Sequence, residues 1–399
     1  MCGIVGFNWR DEKLIEEMMV AVQHRGPDES GCYLDDRVSL GHQRLKVIDL
    51  LTGRQPIHNE GNSVQIVFNG EIYNYLELKE SLLGKGHRFY TNTDTEVIVH
   101  AYEEYGTDCV KCFEGVFAFA IWDKNQKHLF LARDRLGVKP LYYYHQGNRF
   151  VFASELKAIL EYEGIKREVD LGALNEFFTY RYVPGERTLI ENIYKLLPGH
   201  LLILKEGKVQ TSQYWDLVEN ISDKSEEYYV ERLRELLRKS VKQRLVSDVP
   251  LGVFLSGGLD STCVLALMSE LTDNIKTFSV GFGGEGKDEL EHARFVSRHF
   301  GTDHHEINIG EKDLSLLPEM VWYLDEPIGD AATLPIYVLS KMAKKKVTVV
   351  LAGEGGDELF AGYDNYRIMM LGHNFARLFP SFLRQRGDHR GHLFPLLFL

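Results

Sequence analysis

The chain reads as an α/β protein in two units, a sheet-rich front half and a back half built on a parallel sheet. Three observations predict this. Leu251 to Leu255 is an apolar run of strand length, followed by Gly257, Gly258 and a helical run through Met268. Ile275 to Phe282 and Lys346 to Leu351 are further short apolar runs that meet glycine at their ends, as buried parallel strands do. In the front half, Gly115 to Trp122 and His128 to Ala132 flank a polar turn, the pattern of paired antiparallel strands.

Length and charge bound the function. The 399 residues leave room for two or three domains, and 44% hydrophobic with 26% charged residues is ordinary globular composition. A net charge of −12 argues against a general nucleic-acid binder or a membrane-surface protein. No run approaches membrane-spanning length, and Met1-Cys2-Gly3-Ile4-Val5 has no basic segment ahead of an apolar one. Five cysteines form no disulfide framework and predict reduced thiols in a cytoplasm.

Cys2 is the first residue with evident chemistry. If Met1 is removed, Cys2 carries both a thiol and a free α-amine, and the amine can serve as base for its own thiol. Around it lie His24-Arg25-Gly26-Pro27-Asp28, then strand-like Arg37 to Leu40 before Gly41-His42-Gln43-Arg44. Val64 to Phe68 is a strand running into Asn69-Gly70-Glu71-Ile72-Tyr73-Asn74. Thr91 to Glu96 opens a helix that continues through Tyr105. Phe150 to Ala153 is another strand, and Leu201 to Leu204 pairs across Glu206-Gly207 with Val209 onward. Cys109 and Cys112 are one Cys-x-x-Cys without a second pair, a poor zinc site, and read as packing residues.

Together these strings resemble class II glutamine amidotransferases across roughly the first 200 residues. The resemblance implies that Cys2 attacks the side-chain amide of glutamine, forming a thioester and releasing ammonia. It implies that the Asn69 side chain and the Gly70 N–H hold the oxyanion, each donor being worth ~3 kcal/mol in comparable holes. Arg44 would clamp the substrate carboxylate with its planar fork, and Glu71 and Asp94 would face its ammonium.

Composition changes near 215–228, which reads as a linker. Val230, Leu233, Leu237 and Val241 then recur on one face of a helix that should pack on the following sheet. The loop Ser256-Gly257-Gly258-Leu259-Asp260-Ser261 lies between a strand and a helix N-terminus, a setting suited to phosphate. It lacks the lysine of an ordinary P-loop. Gly281 to Lys287 spells Gly-x-x-x-x-Gly-Lys, but Asp288 stands where Ser or Thr is needed, so the match reads as chance. The strand ending at Leu351 opens into Ala352-Gly353-Glu354-Gly355-Gly356-Asp357, where ligands of open α/β sheets bind. Asp260 and Asp357 on separate loops could hold one Mg²⁺ bridging triphosphate oxygens.

Ser-Gly-Gly-x-Asp-Ser resembles the PP-loop of ATP pyrophosphatases. The order of an amidotransferase front, this loop and Gly-Glu-Gly-Gly-Asp-Glu is similar to the glutamine-hydrolysing asparagine synthetases over residues 2–366. That resemblance implies an α/β/β/α N-terminal-nucleophile sandwich over 1–214 and a parallel-sheet, Rossmann-like PP-loop domain over 229–399. It implies glutamine, ATP and aspartate as small-molecule substrates, Mg²⁺ as cofactor, no nucleic-acid or membrane partner, and is compatible with a homodimer. Leu255, Ser256, Gly257, Gly258, Asp260, Ser261, Val280, Ala352 and Gly353 would surround ATP, with Glu354 beside the acyl-adenylate. The family's later Arg-x-Pro-Phe-Leu-Asp string and catalytic lysine are not matched, and the ending at His392 to Leu399 resembles a truncated or frame-shifted one. Two alternatives follow: an amidotransferase acting on another carboxylate, or a remnant that only hydrolyses glutamine or regulates.

Overall fold

The structure, a computed structural model, describes residues 1–282 and 289–377. Most of the Gly281–Lys287 match, with Asp288, and the apolar ending fall outside the described residues.

The front half is two antiparallel six-stranded sheets. The first runs β10-β8-β9-β1-β3-β2. Its strands are β1 (Gly3–Phe7), β2 (Glu29–Asp35), β3 (Val38–Arg44), β8 (Tyr142–Gln146), β9 (Arg149–Ala153) and β10 (Ile193–Lys195). The second runs β12-β11-β7-β6-β5-β4. It comprises β4 (Ile57–His58), β5 (Val64–Ile72), β6 (Gly115–Asp123), β7 (His128–Arg133), β11 (His200–Lys205) and β12 (Lys208–Gln213). Strand β3 is longer than its apolar start suggests and continues through His42 to Arg44, because those polar side chains are buried against the facing sheet and its loops.

Period-two alternation builds the layers. In β5, Val67 points between the sheets and packs with Ile4, Leu40, Ala118 and Leu131. Ile66 and Phe68 point outward, onto helices α2 (Tyr75–Gly84) and α3 (Asp94–Tyr105) through Leu82, Val97 and Ile98. On the other side, Val5 and Phe7 meet Leu14, Ile15 and Met18 of α1 (Glu12–Ala21), with Leu156 and Ile159 of α4 (Leu156–Ile159). The layer order is thus helix, sheet, sheet, helix, the N-terminal-nucleophile sandwich. A fifth helix, α5 (Leu171–Tyr180), lies between β9 and β10 in the chain.

The back half holds one parallel sheet in the order β15-β14-β13-β16. Its strands are β13 (Leu251–Phe254), β14 (Lys276–Phe282), β15 (Asp303–Ile309) and β16 (Val349–Leu351). On one face α6 (Glu226–Arg244), α7 (Leu259–Ser269) and α8 (Glu289–Phe300) supply Val241, Leu265, Met268 and Ala293. On the other, α9 (Leu317–Leu324) precedes α10 (Thr333–Ala343), and Leu339 and Ala343 of α10 pack on Phe278. The short α11 (Gly356–Phe360) and α12 (Asp364–Arg377) follow β16.

Three expectations change. The final strand is three residues, not six, because residues 344–347 bond back to the end of α10. Strand β15 was not apparent in sequence, since Asp303-His304-His305-Glu306 is polar. Only the C-terminal end of α6 packs on the sheet: Val241 is buried, while Val230 and Leu233 are exposed. Among the described residues no helix is long and apolar enough to cross a membrane.

Phe278 is fully buried between β13 and α10. Phe278→Ala should cost about 3–5 kcal/mol, read as a lower urea midpoint for the transition of the back half.

Candidate active site

Cys2 heads β1 in the first sheet, and Asn69, Gly70 and Glu71 lie late in β5 of the second. The two strands are joined at this level by His42, paired to Ile4 across the first sheet. Its Nε2 donates to the carbonyl of Phe68 at 3.0 Å. Burial pushes His42 down to about 3, so the ring is neutral near neutral pH and can donate there.

The Cys2 thiol lies 3.7 Å from the carbonyl of Leu45, and burial pushes its pKa up. The adjacent Met1 α-amine is pushed down to about 5, also chiefly by burial. Asn69 is fully buried, yet neither its Oδ1 nor its Nδ2 has a hydrogen-bond partner. A buried amide left unpaired costs ~1–3 kcal/mol, so this one is poised for a ligand oxygen. Gly70 is required by space: a Cβ there would stand 2.3 Å from the Val116 carbonyl of β6.

Asp94 begins α3, with Thr93 as its N-cap. Its carboxylate accepts from Ile72 N at 2.9 Å and Thr93 Oγ1 at 3.1 Å. Burial pushes Asp94 up to about 6 despite these bonds. Glu71 is raised well above its usual range by burial and then by Asp94 beside it. A buried Asp94 beside a half-buried Glu71 is an arrangement that a cation would relieve.

Arg44 is placed differently from a free clamp. Its Nη2 donates to the carbonyls of Ile48 at 3.1 Å and Asp49 at 2.6 Å, and its Nη1 donates to Glu29 at 3.0 Å. The guanidinium has five N–H donors, and with both on Nη2 engaged no parallel pair is left. A bidentate grip on a carboxylate therefore requires the 48–49 loop to give up one of these bonds.

The second centre lies at the C-terminal edge of the parallel sheet. A cleft of about 300 Å³ is lined by Leu255, Ser256, Asp260, Ser261, Val280, Ala352, Gly353, Glu354 and Asp357. Gly257 and Gly258 are not in its lining; they shape the loop beneath. Gly257 has φ +78° and packs so closely on α8 that a Cβ would lie 2.6 Å from Ala293 N. Ser256 and Ser261 hydroxyls lie 3.0 Å apart, and the Ser256 hydroxyl accepts from Gly258 N at 3.1 Å, closing the loop onto the start of α7. The Asp260 carboxylate lies against Gly356, where a Cβ would be 2.4 Å from its Oδ2. Neither Asp260 nor Asp357 accepts a side-chain hydrogen bond among the described residues, so both keep acceptors for a hard dication. Ile336, Leu339 and Tyr363 also line the cleft. Sequence reading missed them, because an apolar wall on a helix has no motif.

A second omission is a buried charge chain linking the halves. Arg25 Nε donates to the Cys2 carbonyl at 2.9 Å and its Nη1 to Glu155 at 2.7 Å. Lys157 contacts Glu155 at 2.5 Å and Asp325 at 3.1 Å. Asp325 also accepts from Leu156 N and Lys157 N while holding φ +68°, a costly conformation for a residue with a Cβ. Alongside, Trp322 packs on His24 and under the Lys157 ammonium. Lys139 lies near Cys2 and Glu71: burial lowers its pKa, and these two groups oppose this.

The front half thus defines an amidotransferase-type pocket and the back half a nucleotide-type cleft. Residues 1–215 match a family described as glutamine amidotransferase domain, and residues 232–396 one described as asparagine synthase. Asparagine synthetase [glutamine-hydrolyzing] 1 of Bacillus subtilis is 38% identical over 99% of this chain and 64% of its own length. Asparagine synthetase [glutamine-hydrolyzing] 3 of the same organism is 36% identical over 91% of this chain and 63% of its own. A relative from Methanocaldococcus jannaschii is 41% identical over 97% of this chain and 80% of its own. The chain belongs to the family of glutamine-hydrolysing asparagine synthetases, and spans about two-thirds of the length of the Bacillus relatives.

Glu155 is held down to about 2: burial alone would raise it, but His24, Arg25 and Lys157 outweigh that. Its contribution to stability is fully present above the unfolded value near 4.5 and is lost as pH falls through about 2. Glu155→Gln should therefore cost roughly 3 kcal/mol at neutral pH, and acid titration of unfolding should show the gap from wild type closing between these two values.

Proposed function

We propose that the chain hydrolyses glutamine at Cys2 and delivers the ammonia to an aspartate activated by ATP, giving asparagine, glutamate, AMP and pyrophosphate. The observation that carries the first half is the buried, unpartnered Asn69 amide beside the Cys2 thiol and the Glu71–Asp94 pair. In this reading the Cys2 α-amine, once Met1 is removed, takes the thiol proton. The thiolate attacks the amide carbon, and Asn69 Nδ2 with the Gly70 N–H receives the oxyanion. Glu71 and Asp94 bind the α-ammonium, and Arg44 binds the α-carboxylate after exchanging a loop carbonyl.

For the second half, the cleft supports ATP bound by Leu255, Ser256, Asp260, Ser261, Val280, Ala352 and Gly353, with Gly257 and Gly258 shaping the loop. Asp260 and Asp357 would hold Mg²⁺, whose charge would offset that gathering on pyrophosphate. Glu354, exposed at the cleft, would orient the ammonia. A division into 1–214 and 229–399 is supported by β12 ending at Gln213 and α6 starting at Glu226. All five cysteines are free, which supports work in a reducing cytoplasm.

With glutamine, ATP, Mg²⁺ and aspartate supplied, glutamate, pyrophosphate and asparagine are scored separately. Cys2→Ala should abolish glutamate formation and spare synthesis from free ammonia; equal loss of both would contradict the assignment. Asn69→Ala should lower glutaminase kcat by roughly 10²–10³-fold. Asp260→Ala should stop pyrophosphate release while glutamate formation from glutamine continues.

A further inference from the structure

Away from both centres, the turn before β5, the loop between α2 and α3, and the C-terminal half of α3 converge on one point. Glu60, His87, His100 and Glu103 each present a ligand atom there, all within 4.8 Å of one another. His100 Nδ1 lies 3.1 Å from a Glu103 oxygen and 3.6 Å from a Glu60 oxygen. His87 Nδ1 lies 3.7 Å from Glu103 and 3.8 Å from Glu60. Four N and O ligands around one zinc ion, each at about 2.0–2.2 Å, stand roughly 3.3–3.6 Å apart at the corners of a tetrahedron. The two imidazole nitrogens lie 3.1 and 3.7 Å from the same Glu103 oxygen, close to that edge length; Glu60 offers Oε2 to His100 and Oε1 to His87, so one of its oxygens would turn inward on binding.

The surroundings match a metal centre as well. Each imidazole turns Nδ1 to the cluster and meets a different carboxylate with Nε2: Glu104 at 3.1 Å for His87, Glu96 at 3.4 Å for His100. A carboxylate behind the far nitrogen is the usual way a metal-bound imidazole is oriented and made more basic. Those carboxylates are anchored in turn. Glu96 accepts from Tyr90 N, Thr91 N and the Thr91 hydroxyl, and Glu104 pairs with Lys85 at 2.8 Å. The ligand acids are also held, Glu103 by Asn59 Nδ2 at 2.6 Å and Glu60 by Arg88 N at 2.8 Å.

We propose that Glu60, His87, His100 and Glu103 form a closed four-ligand structural site for Zn²⁺. Two imidazoles and two carboxylates suit zinc by ligand type, and two anionic ligands balance its charge. With four protein ligands no position is left for substrate, so the ion braces the fold. It ties the β4–β5 turn and the α2–α3 loop to α3, the helix that begins at Asp94.

The test uses the whole chain, stripped with EDTA and then titrated with ZnCl₂ or CoCl₂. Elemental analysis should find one tightly held zinc per chain. Co²⁺ should give the visible bands of a tetrahedral N/O site without a thiolate charge-transfer band, which separates this cluster from the free cysteines. Zinc should raise the melting midpoint of wild type, since a ligand held only by the folded state stabilises it. In His87→Ala and Glu60→Ala that zinc-dependent rise should disappear, with affinity weakened about 100-fold or more. His87 and Glu60 are partly exposed, so both variants should fold, and the comparison with and without zinc is made within each protein. A midpoint indifferent to zinc in wild type, or equal zinc binding by wild type and His87→Ala, would overturn the proposal and leave a proton-bridged ion-pair cluster.

Discussion

The front half depends on one contact between its sheets, the bond from the buried His42 ring to the Phe68 carbonyl. His42 lies opposite Ile4, two residues from Cys2, and Phe68 immediately precedes Asn69. The neutral His42 side chain, helped farther along by the Trp122 indole donating to Asp35, sets the height at which the thiol-bearing strand meets the strand carrying Asn69 and Glu71. Apolar packing between the sheets is strong but non-directional. One sheet could shift over the other by a residue and still bury Leu or Val, yet that shift would carry Asn69 out of level with Cys2. The polar bond supplies the register that hydrophobic burial leaves open.

Burial then sets the electrostatics. The same dry environment raises the Cys2 thiol, raises Glu71 and Asp94, and lowers Lys139. In each case burial disfavours the charged form, and an opposite charge arriving nearby favours it. In the proposed reading a zwitterionic ligand would satisfy the acids with its ammonium and draw Arg44 with its carboxylate. The cleft in the back half works in another way: it is open, its acids are accessible, and its loop backbone carries the shape. Gly257 shows why, since its positive φ and contact with Ala293 leave space for no side chain.

The sequence revealed those parts whose chemistry depends on neighbouring residues. Asn69-Gly70-Glu71 and Ser256 to Ser261 are each contiguous, so both could be read directly. In the front half β3, β5, β6, β7, β9, β11 and β12 were legible because apolar runs alternate with turns, whereas β1, β2, β4, β8 and β10 were not apparent. Strand β15 was not, because it opens on Asp303-His304-His305-Glu306 and only Ile307 and Ile309 at its end are apolar. Arg44 was recognisable as a cation of the pocket, but its bonds to Ile48 and Asp49 depend on loop geometry. Residues joined only by folding, such as Arg25 with Glu155 and Asp325, left no local trace. The same holds for His87 and His100, thirteen positions apart and brought together by the turn into α3.

The chain of charges from the Cys2 carbonyl through Arg25, Glu155 and Lys157 to Asp325 bears on how the two halves can move. Every link lies in a largely water-free seam, and each ion there is compensated by its neighbours, Glu155 by His24 as well as by Arg25 and Lys157, and Asp325 by two backbone N–H groups as well as by Lys157. Of these links only those to Asp325 cross between the halves, so gaping at this seam would break the Lys157–Asp325 pair together with two backbone bonds. An incoming carboxylate could instead replace the Ile48 or Asp49 carbonyl on Arg44 with little movement of the chain, since Asp49 stays tied to Asp248 and Asn92.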